Sequence, residues 1–173
     1  VQDQPEIIDR VTELIRTIDR VPGIYRIRFD LLKGGKAAPY GTAGEVIVEE
    51  RLRKMFKVEA FHRIGSSTIE GVMGSPTRAE LGSSFQVSLL AQRPEYSDSS
   101  PWGVPDPGNR LQLRQLVLER KAVATDGTLM TDELLRTNVL LSPEQTVYIG
   151  AGNSEESEEV LVLIVHAEEF GSR

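Results

Sequence analysis

Residues 25–31 read YRIRFDL, and this stretch decides the class of fold. Its apolar side chains, at Tyr25, Ile27, Phe29 and Leu31, alternate with polar ones. Successive side chains of a strand point to opposite faces, so this period of two predicts a strand with one face in a core and the other in solvent. The chain is therefore expected to contain a sheet that is buried on one side.

The segment before this strand has a helical period instead. Its apolar side chains recur at steps of three and four residues, which predicts an amphipathic helix that opens at Asp3 and Pro5. Pro22 and Gly23 end the helix, because proline disfavours the helical conformation in the residue before it. The apolar face is expected to be buried, and it consists of Ile7, Ile8, Val11, Leu14, Ile15 and Ile18.

Two segments follow the first strand. Residues 33–44, KGGKAAPYGTAG, are predicted to be a glycine-rich connector, because neither GxxxxGK[ST] nor GxGxxG occurs in them. Residues 45–56 are predicted to be a second helix with partly periodic apolar positions. The letters EVIVE at the start of that segment suit a strand equally well.

From residue 57 onward the pattern is typical of strands. Residues 93–110 are the exception, because they hold four of the nine prolines and are predicted to be a long loop. The segment 160–165 is apolar throughout, as in a central strand that is covered on both faces. Turns are predicted at Gly65-Ser66-Ser67 and Asp126-Gly127. The predicted strands cover residues 58–64, 68–73, 85–91, 111–118, 134–141, 146–149 and 160–165.

These elements predict an α+β fold, with one or two helices near the N-terminus followed by an antiparallel β-sheet folded as a sandwich. A length of 173 residues suits one core, so residues 1–170 are expected to form a single domain. Its parts are a helix-strand entry at 1–32, the connector at 33–44, the second helix and first strands at 45–92, the loop at 93–110, and the C-terminal strands at 111–170.

Composition excludes several classes of function. The chain has no cysteine, which removes thiolate nucleophiles, disulfides and iron–sulfur clusters. Its net charge of −6, without a face rich in Lys and Arg, argues against nucleic acid as a partner. The longest apolar run, Val160 to Val165, is far shorter than the ~20 residues of a transmembrane helix.

Few residues qualify for chemistry at neutral pH. His62 and His166 lie more than a hundred residues apart, without HExxH or a similar spacing, so hydrogen-bonded core or surface positions are expected for both. Residues 155–159, EESEE, lack the pattern of a calcium loop and are predicted to be a solvated hairpin tip. No catalytic, cofactor-binding or metal-binding residue is predicted. Tyr96 and Trp102, in the proline-rich loop, are the candidate contacts for a partner, and the alternative for Trp102 is that it folds back to cover the sheet.

Several segments resemble the bacterial secretins, the outer-membrane ring proteins of type II and type III secretion and of type IV pili. IIDRVTELIRTIDRVPGIYRIRF is similar to their helix-to-strand junction, and MGSPTRAELGSSFQV to a stretch before one of their strands. LLRTNVLLSPEQTVYIGAG, followed by EVLVLIVHAEEF, resembles the secretin ending. The resemblance implies a secretin-like β-domain in an envelope protein. The long amphipathic hairpins and the lip of the secretin channel are missing from this sequence, so a channel is not expected.

The sequence leads to three hypotheses. The first is a non-enzymatic structural or protein-interaction domain of a bacterial cell-envelope assembly, periplasmic or elsewhere in the envelope, with a protein partner, no cofactor and no direct membrane insertion. The second is a β-sandwich that binds a small molecule or a glycan, with Tyr96 and Trp102 stacking on the ligand. The third is an enzyme whose carboxylates, such as Asp30 or Glu45, meet only in the fold. The chain begins at Val1 without a signal segment, which leaves open whether one was removed or the sequence belongs to a longer protein.

Overall fold

The structure, a computed structural model, describes residues 7–12, 23–35, 50–94, 110–124, 127–153 and 160–171. Within these ranges, helix α1 covers residues 7–12 and helix α2 covers Glu50–Phe56. The strands are β1 (Ile24–Gly35), β2 (Ala60–Val72), β3 (Pro76–Leu81), β4 (Phe85–Gln92), β5 (Leu111–Val123), β6 (Leu129–Leu141), β7 (Thr146–Asn153) and β8 (Val160–Gly171).

The strands form two antiparallel sheets of four. Sheet A has the order β2-β1-β8-β7, and sheet B has the order β3-β4-β5-β6. The two sheets pack face to face, so the predicted α+β fold with an antiparallel sandwich is confirmed. Each sheet therefore has an inner face toward the core and an outer face away from it.

Strand β1 behaves as its alternation predicts. Tyr25, Ile27, Phe29 and Leu31 are all at most 2% exposed and point into the core between the sheets. Removing apolar surface from water stabilises the fold by roughly 1.5–3 kcal/mol for each large side chain, so these four positions alone bind the sheets together strongly. Opposite them in the core lie residues of sheet B, among them Leu81, Val87, Leu89, Leu113, Leu116 and Leu118.

Residues 160–165 of strand β8 are covered on both faces, as this wholly apolar segment predicts. The strand lies between β1 and β7, and Leu163 and Val165 point into the core. On the outer face, Val160 and Val162 belong to a second apolar cluster, which α2 covers through Leu52. This cluster also contains Leu32 and Phe61, with Phe56 packed against it.

The second cluster depends on a close fit between α2 and sheet A. The rings of Phe56 and Phe61 meet edge to face, with their centroids 6.2 Å apart. Gly34 makes room for this pair, because a Cβ at that position would lie 2.8 Å from Cε1 of Phe61. Gly34, on β1, therefore allows α2 to pack closely against sheet A.

Two predictions about local structure were wrong, and one strand was not predicted. Residues 33–35 are part of β1, although the connector was predicted to begin at residue 33. Residues 60–72 form one continuous strand, without the predicted turn at Gly65-Ser66-Ser67. Gly65 serves the packing of the sheets instead, because a Cβ there would lie 2.6 Å from the backbone of Leu81. Strand β3 was not predicted at all.

The predicted burial of the N-terminal helix is not seen in its described part. Ile7, Ile8 and Val11 are 53%, 54% and 48% exposed. The described helix residues 50–56 fall inside the predicted second helix, whereas residues 36–49 and 95–109 lie outside the described residues. Of the predicted turn at Asp126-Gly127, Gly127 is described; it has a positive φ of 83° and donates its N–H to the carbonyl of Ala124.

Candidate protein-interaction surface

The β5-β6 hairpin is longer than the strand beside it. Strand β4 begins at Phe85, which pairs with Arg120, and the N–H of Lys121 then donates to the carbonyl of Ser84. Residues 121–123 of β5 and 129–131 of β6 continue past this point, which is roughly 10 Å of strand at ~3.3 Å a residue. We call residues 121–124 and 127–131 the arm.

The arm exposes apolar side chains. Val123, Leu129 and Met130 are 70%, 62% and 53% exposed. Val123 pairs directly with Leu129, so these two side chains lie together on one face of the arm, and Met130 lies on the other face. Apolar groups that cluster on an exposed surface are typical of sites where another molecule binds.

Ion pairs hold the base of the arm. The Lys121 ammonium lies 2.5 Å from a carboxylate oxygen of Glu80 on β3, and Arg120 lies 3.0 Å from Asp132 across the hairpin. Exposed pairs of this kind contribute at most about 1 kcal/mol each, so their main effect is to orient the arm relative to sheet B. The ion pairs thus fix the orientation of the apolar end of the arm.

A trough of about 360 Å³ crosses the outer face of sheet B beside the arm. Arg78, Ser88, Val117 and Arg136 form one row across the four strands, since each pairs with the next. Ser88 and Val117 make a low floor, while the two arginines stand at either end. Leu90, Gln115 and Glu119 are among the other lining residues.

A bulge in β5 shapes the trough. Leu113 and Leu116 both point into the core although they are three residues apart, because the pairing with β6 shifts between them. Gln115, inside the bulge, has a positive φ of 52°, and its N–H donates to the side-chain carbonyl of Asn138. The bulge therefore returns Val117 to the outer face, where it forms the floor.

The charges around the trough are unevenly paired. The Arg136 guanidinium hydrogen bonds to Glu133 and holds the pKa of that carboxyl below its usual value. Glu119 accepts a hydrogen bond from the amide of Gln86. Within the described part of the chain, Arg78 takes part in no ion pair and no side-chain hydrogen bond.

The outer face of sheet A carries a second polar group. The Asp30 carboxylate is buried and lies 3.0 Å from the guanidinium groups of both Arg28 and Arg63. Two guanidinium groups thus hold the carboxylate that the enzyme hypothesis named, which suits an internal ion pair better than a free base. Glu45, the other carboxylate of that hypothesis, lies outside the described residues.

The structure does not bring the two histidines together. His166 pairs with Arg28 on the outer face of sheet A, where its Nδ1 lies 2.9 Å from the hydroxyl of Thr146. His62 pairs with Lys33, and the alternation of side chains along β1 puts both on the opposite face of the sheet from His166. In the described ranges, no group of three or more His, Cys, Asp or Glu side chains is placed to hold a metal ion.

Tyr96 and Trp102, the predicted partner contacts, and the acidic tip at 155–159 all lie outside the described residues. The arm was missed because the predicted strands stopped at Leu118 and resumed at Leu134. An available signal was the pair of short apolar runs, AVA at 122–124 and LM at 129–130, on the two sides of the Asp126-Gly127 turn.

Among the described helices, none has the length and apolar character that crossing a membrane requires. No protein-family model matches the chain. Neither the curated proteins nor the solved structures contain a match to it.

Proposed function

We propose that this chain is a non-enzymatic protein-interaction domain of a bacterial cell-envelope assembly, secretin-like but not itself a channel. The observation that carries the proposal is the arm. It exposes Val123, Leu129 and Met130 to solvent at the end of the β5-β6 hairpin, whose base is held by ion pairs. Burying such side chains against a partner gains roughly 25 cal/mol for each Å² of apolar surface removed from water.

Two further features support this proposal. The segments that resemble a secretin ending cover residues 134–141 of β6 and most of the paired strands β7 and β8, and the segment that resembles the helix-to-strand junction includes α1 and the first half of β1. Strand β6 is also the last strand of sheet B, with an edge that pairs with no other described strand. A partner that contacts the arm can reach this edge as well.

The proposal is tested by site-specific photo-cross-linking in the cells that produce the protein. A benzoylphenylalanine at position 129 is expected to give an adduct of higher mass than the chain, because Leu129 would lie in the interface. The same group at Thr68, which is exposed on the outer face of sheet A, is the matched control and is expected to give none.

The location of the protein is read from the same cells. Fractionation is expected to place the chain and its adduct in the periplasm or with the envelope. A chain confined to the cytoplasm, or equal adducts from positions 129 and 68, contradicts the proposal.

A further inference from the structure

The outer face of sheet B carries cations that its own carboxylates do not neutralise. Lys121 pairs with Glu80, and Arg136 pairs with Glu133. Arg78 and Arg114 are in no ion pair among the described residues. The charged side chains at outward positions of this face are Arg78, Arg114, Lys121, Arg136, Glu80, Glu119 and Glu133. In a chain of net charge −6, this face is locally positive.

The trough offers polar groups that lack partners. Within the described chain, neither the Ser88 hydroxyl on its floor nor the Gln115 side-chain amide on its wall has a hydrogen-bond partner. The Glu119 carboxylate, which also lines the trough, is already engaged by Gln86. A guanidinium, a hydroxyl and an amide are therefore available to an anionic ligand with a polar backbone.

The shape of the trough fits a short extended peptide. The row from Arg78 to Arg136 crosses four strands, which is about 14 Å at the usual spacing between strands. An extended segment of about four residues spans that length. Val117 and Leu90 supply an apolar floor for its aliphatic carbons.

We infer that the trough binds a short acidic segment of the partner protein, in extended conformation, with a carboxylate on Arg78. The inference rests on the proposed function and deepens it, because it states the chemistry of the partner. The trough and the arm share strands β5 and β6, so one partner can contact both, with its apolar part on the arm and its acidic part in the trough.

The probe for the test is a fluorescein-labelled hexaglutamate peptide, added to the full chain at low ionic strength while fluorescence anisotropy is recorded. Saturable binding is expected, because the chain presents unpaired arginine to the carboxylates. Arg78→Ala is expected to weaken binding at least about tenfold, since hydrogen bonds between charged groups are among the strong ones.

Matched variants separate the trough from general charge attraction. Arg53→Ala removes the same charge from an exposed position on α2, and it is expected to leave binding within about twofold of the unchanged chain. Ser88→Trp fills the floor without changing charge and is expected to abolish binding. Ser83→Trp, in the exposed turn between β3 and β4, is its control and is expected to retain it. Melting temperatures confirm that each variant is folded.

Four results would overturn the inference. They are equal losses in Arg78→Ala and Arg53→Ala, unchanged binding in Ser88→Trp, equal competition by free glutamate at the same carboxylate concentration, and tighter binding of a hexathymidylate oligonucleotide than of hexaglutamate. If hexaglutamate fails to bind while position 129 still cross-links in cells, the trough inference is overturned and the proposed function stands.

Discussion

The two sheets have the same number of strands, but their outer faces are built differently. On sheet A, α2 closes an apolar cluster around Val162, and two arginines close the polar part around Asp30. On sheet B, the outer face carries the trough, whose floor is low and whose walls include Arg78. On sheet A, the apolar cluster and the Asp30 carboxylate thus find their partners within the chain. On sheet B, the Arg78 guanidinium and the concave surface of the trough are available to another molecule.

The difference between the outer faces is also visible in the sequences of two central strands, β8 of sheet A and β5 of sheet B. In β8 the outward positions Val160, Val162 and Ile164 are apolar, because a helix covers or borders them. In β5 the outward positions include Arg114 and Glu119, because they meet solvent. The unbroken apolar run of β8 thus reflects the helix that packs on its second face, whereas the second face of β5 mixes charged residues with Val117.

The largest expected effect is on the covered face. Phe61→Ala removes a ring that is 1% exposed and packs edge to face on Phe56, so the free energy of unfolding is expected to fall by about 3–5 kcal/mol. Urea denaturation followed by circular dichroism measures the change. Val123→Ala, on the exposed arm, is the control and is expected to change stability by less than about 0.5 kcal/mol. A loss below about 1 kcal/mol in Phe61→Ala would show that α2 does not cover this face.

A smaller effect compares the same substitution on the two outer faces. Val162 and Val117 are 2% and 6% exposed, but the first is covered by a helix, whereas the second lies on the floor of the trough among long side chains such as Arg136 and Glu119. Val162→Ala is expected to cost about 2 kcal/mol, because a rigid cluster relaxes little around the space left behind. Val117→Ala is expected to cost less than about 1 kcal/mol, since flexible side chains can move into the space. If urea denaturation shows the same loss of unfolding free energy in Val162→Ala and Val117→Ala, the two outer faces do not differ in how they are covered.

Burial explains which parts of the fold could be predicted. Strands β1 and β8 were recognised because a period of two, or an unbroken apolar run, follows directly from which faces are covered. Strand β3 escaped because only Thr77, Ala79 and Leu81 alternate inward in it, and two of these are small. Gly65-Ser66-Ser67 has the composition of a turn, and the real reason for Gly65, the close approach of the Leu81 backbone from the other sheet, leaves no pattern in the local sequence.

The candidate surface was harder to predict than the core. The trough needs Arg78 and Arg136 on one row, and these residues lie on different strands whose register is fixed by pairing and by bulges. The apolar side chains of the arm are exposed only because β4 begins at Phe85 and does not cover them, which is a fact about a neighbouring strand. Periodicity along one strand carries no information on either point.

The smallest expected effect concerns the contact that joins the two sheets at one edge. The Tyr25 hydroxyl, on β1, lies 2.7 Å from the Thr77 hydroxyl on β3, and Gly71 leaves room for the phenol ring. Burial raises the pKa of Tyr25 above 10.0, and the hydrogen bond with Thr77 offsets only part of that shift. Tyr25→Phe is expected to cost about 1 kcal/mol at neutral pH, the usual net contribution of one hydrogen bond.

This difference is expected to depend on pH in one direction. Because the folded-state pKa of Tyr25 is raised, the contribution of the neutral phenol is fully present below the unfolded value near 10 and is lost as the pH rises through the folded value. Urea denaturation at pH 7.5 and at pH 10.5 should therefore show the gap between the unchanged chain and Tyr25→Phe narrowing at the higher pH. Tyr148→Phe, on the outer face of sheet A, is the control, because its side chain is 40% exposed. A gap that widens above pH 10 would mean that the phenol of Tyr25 is not buried between the sheets.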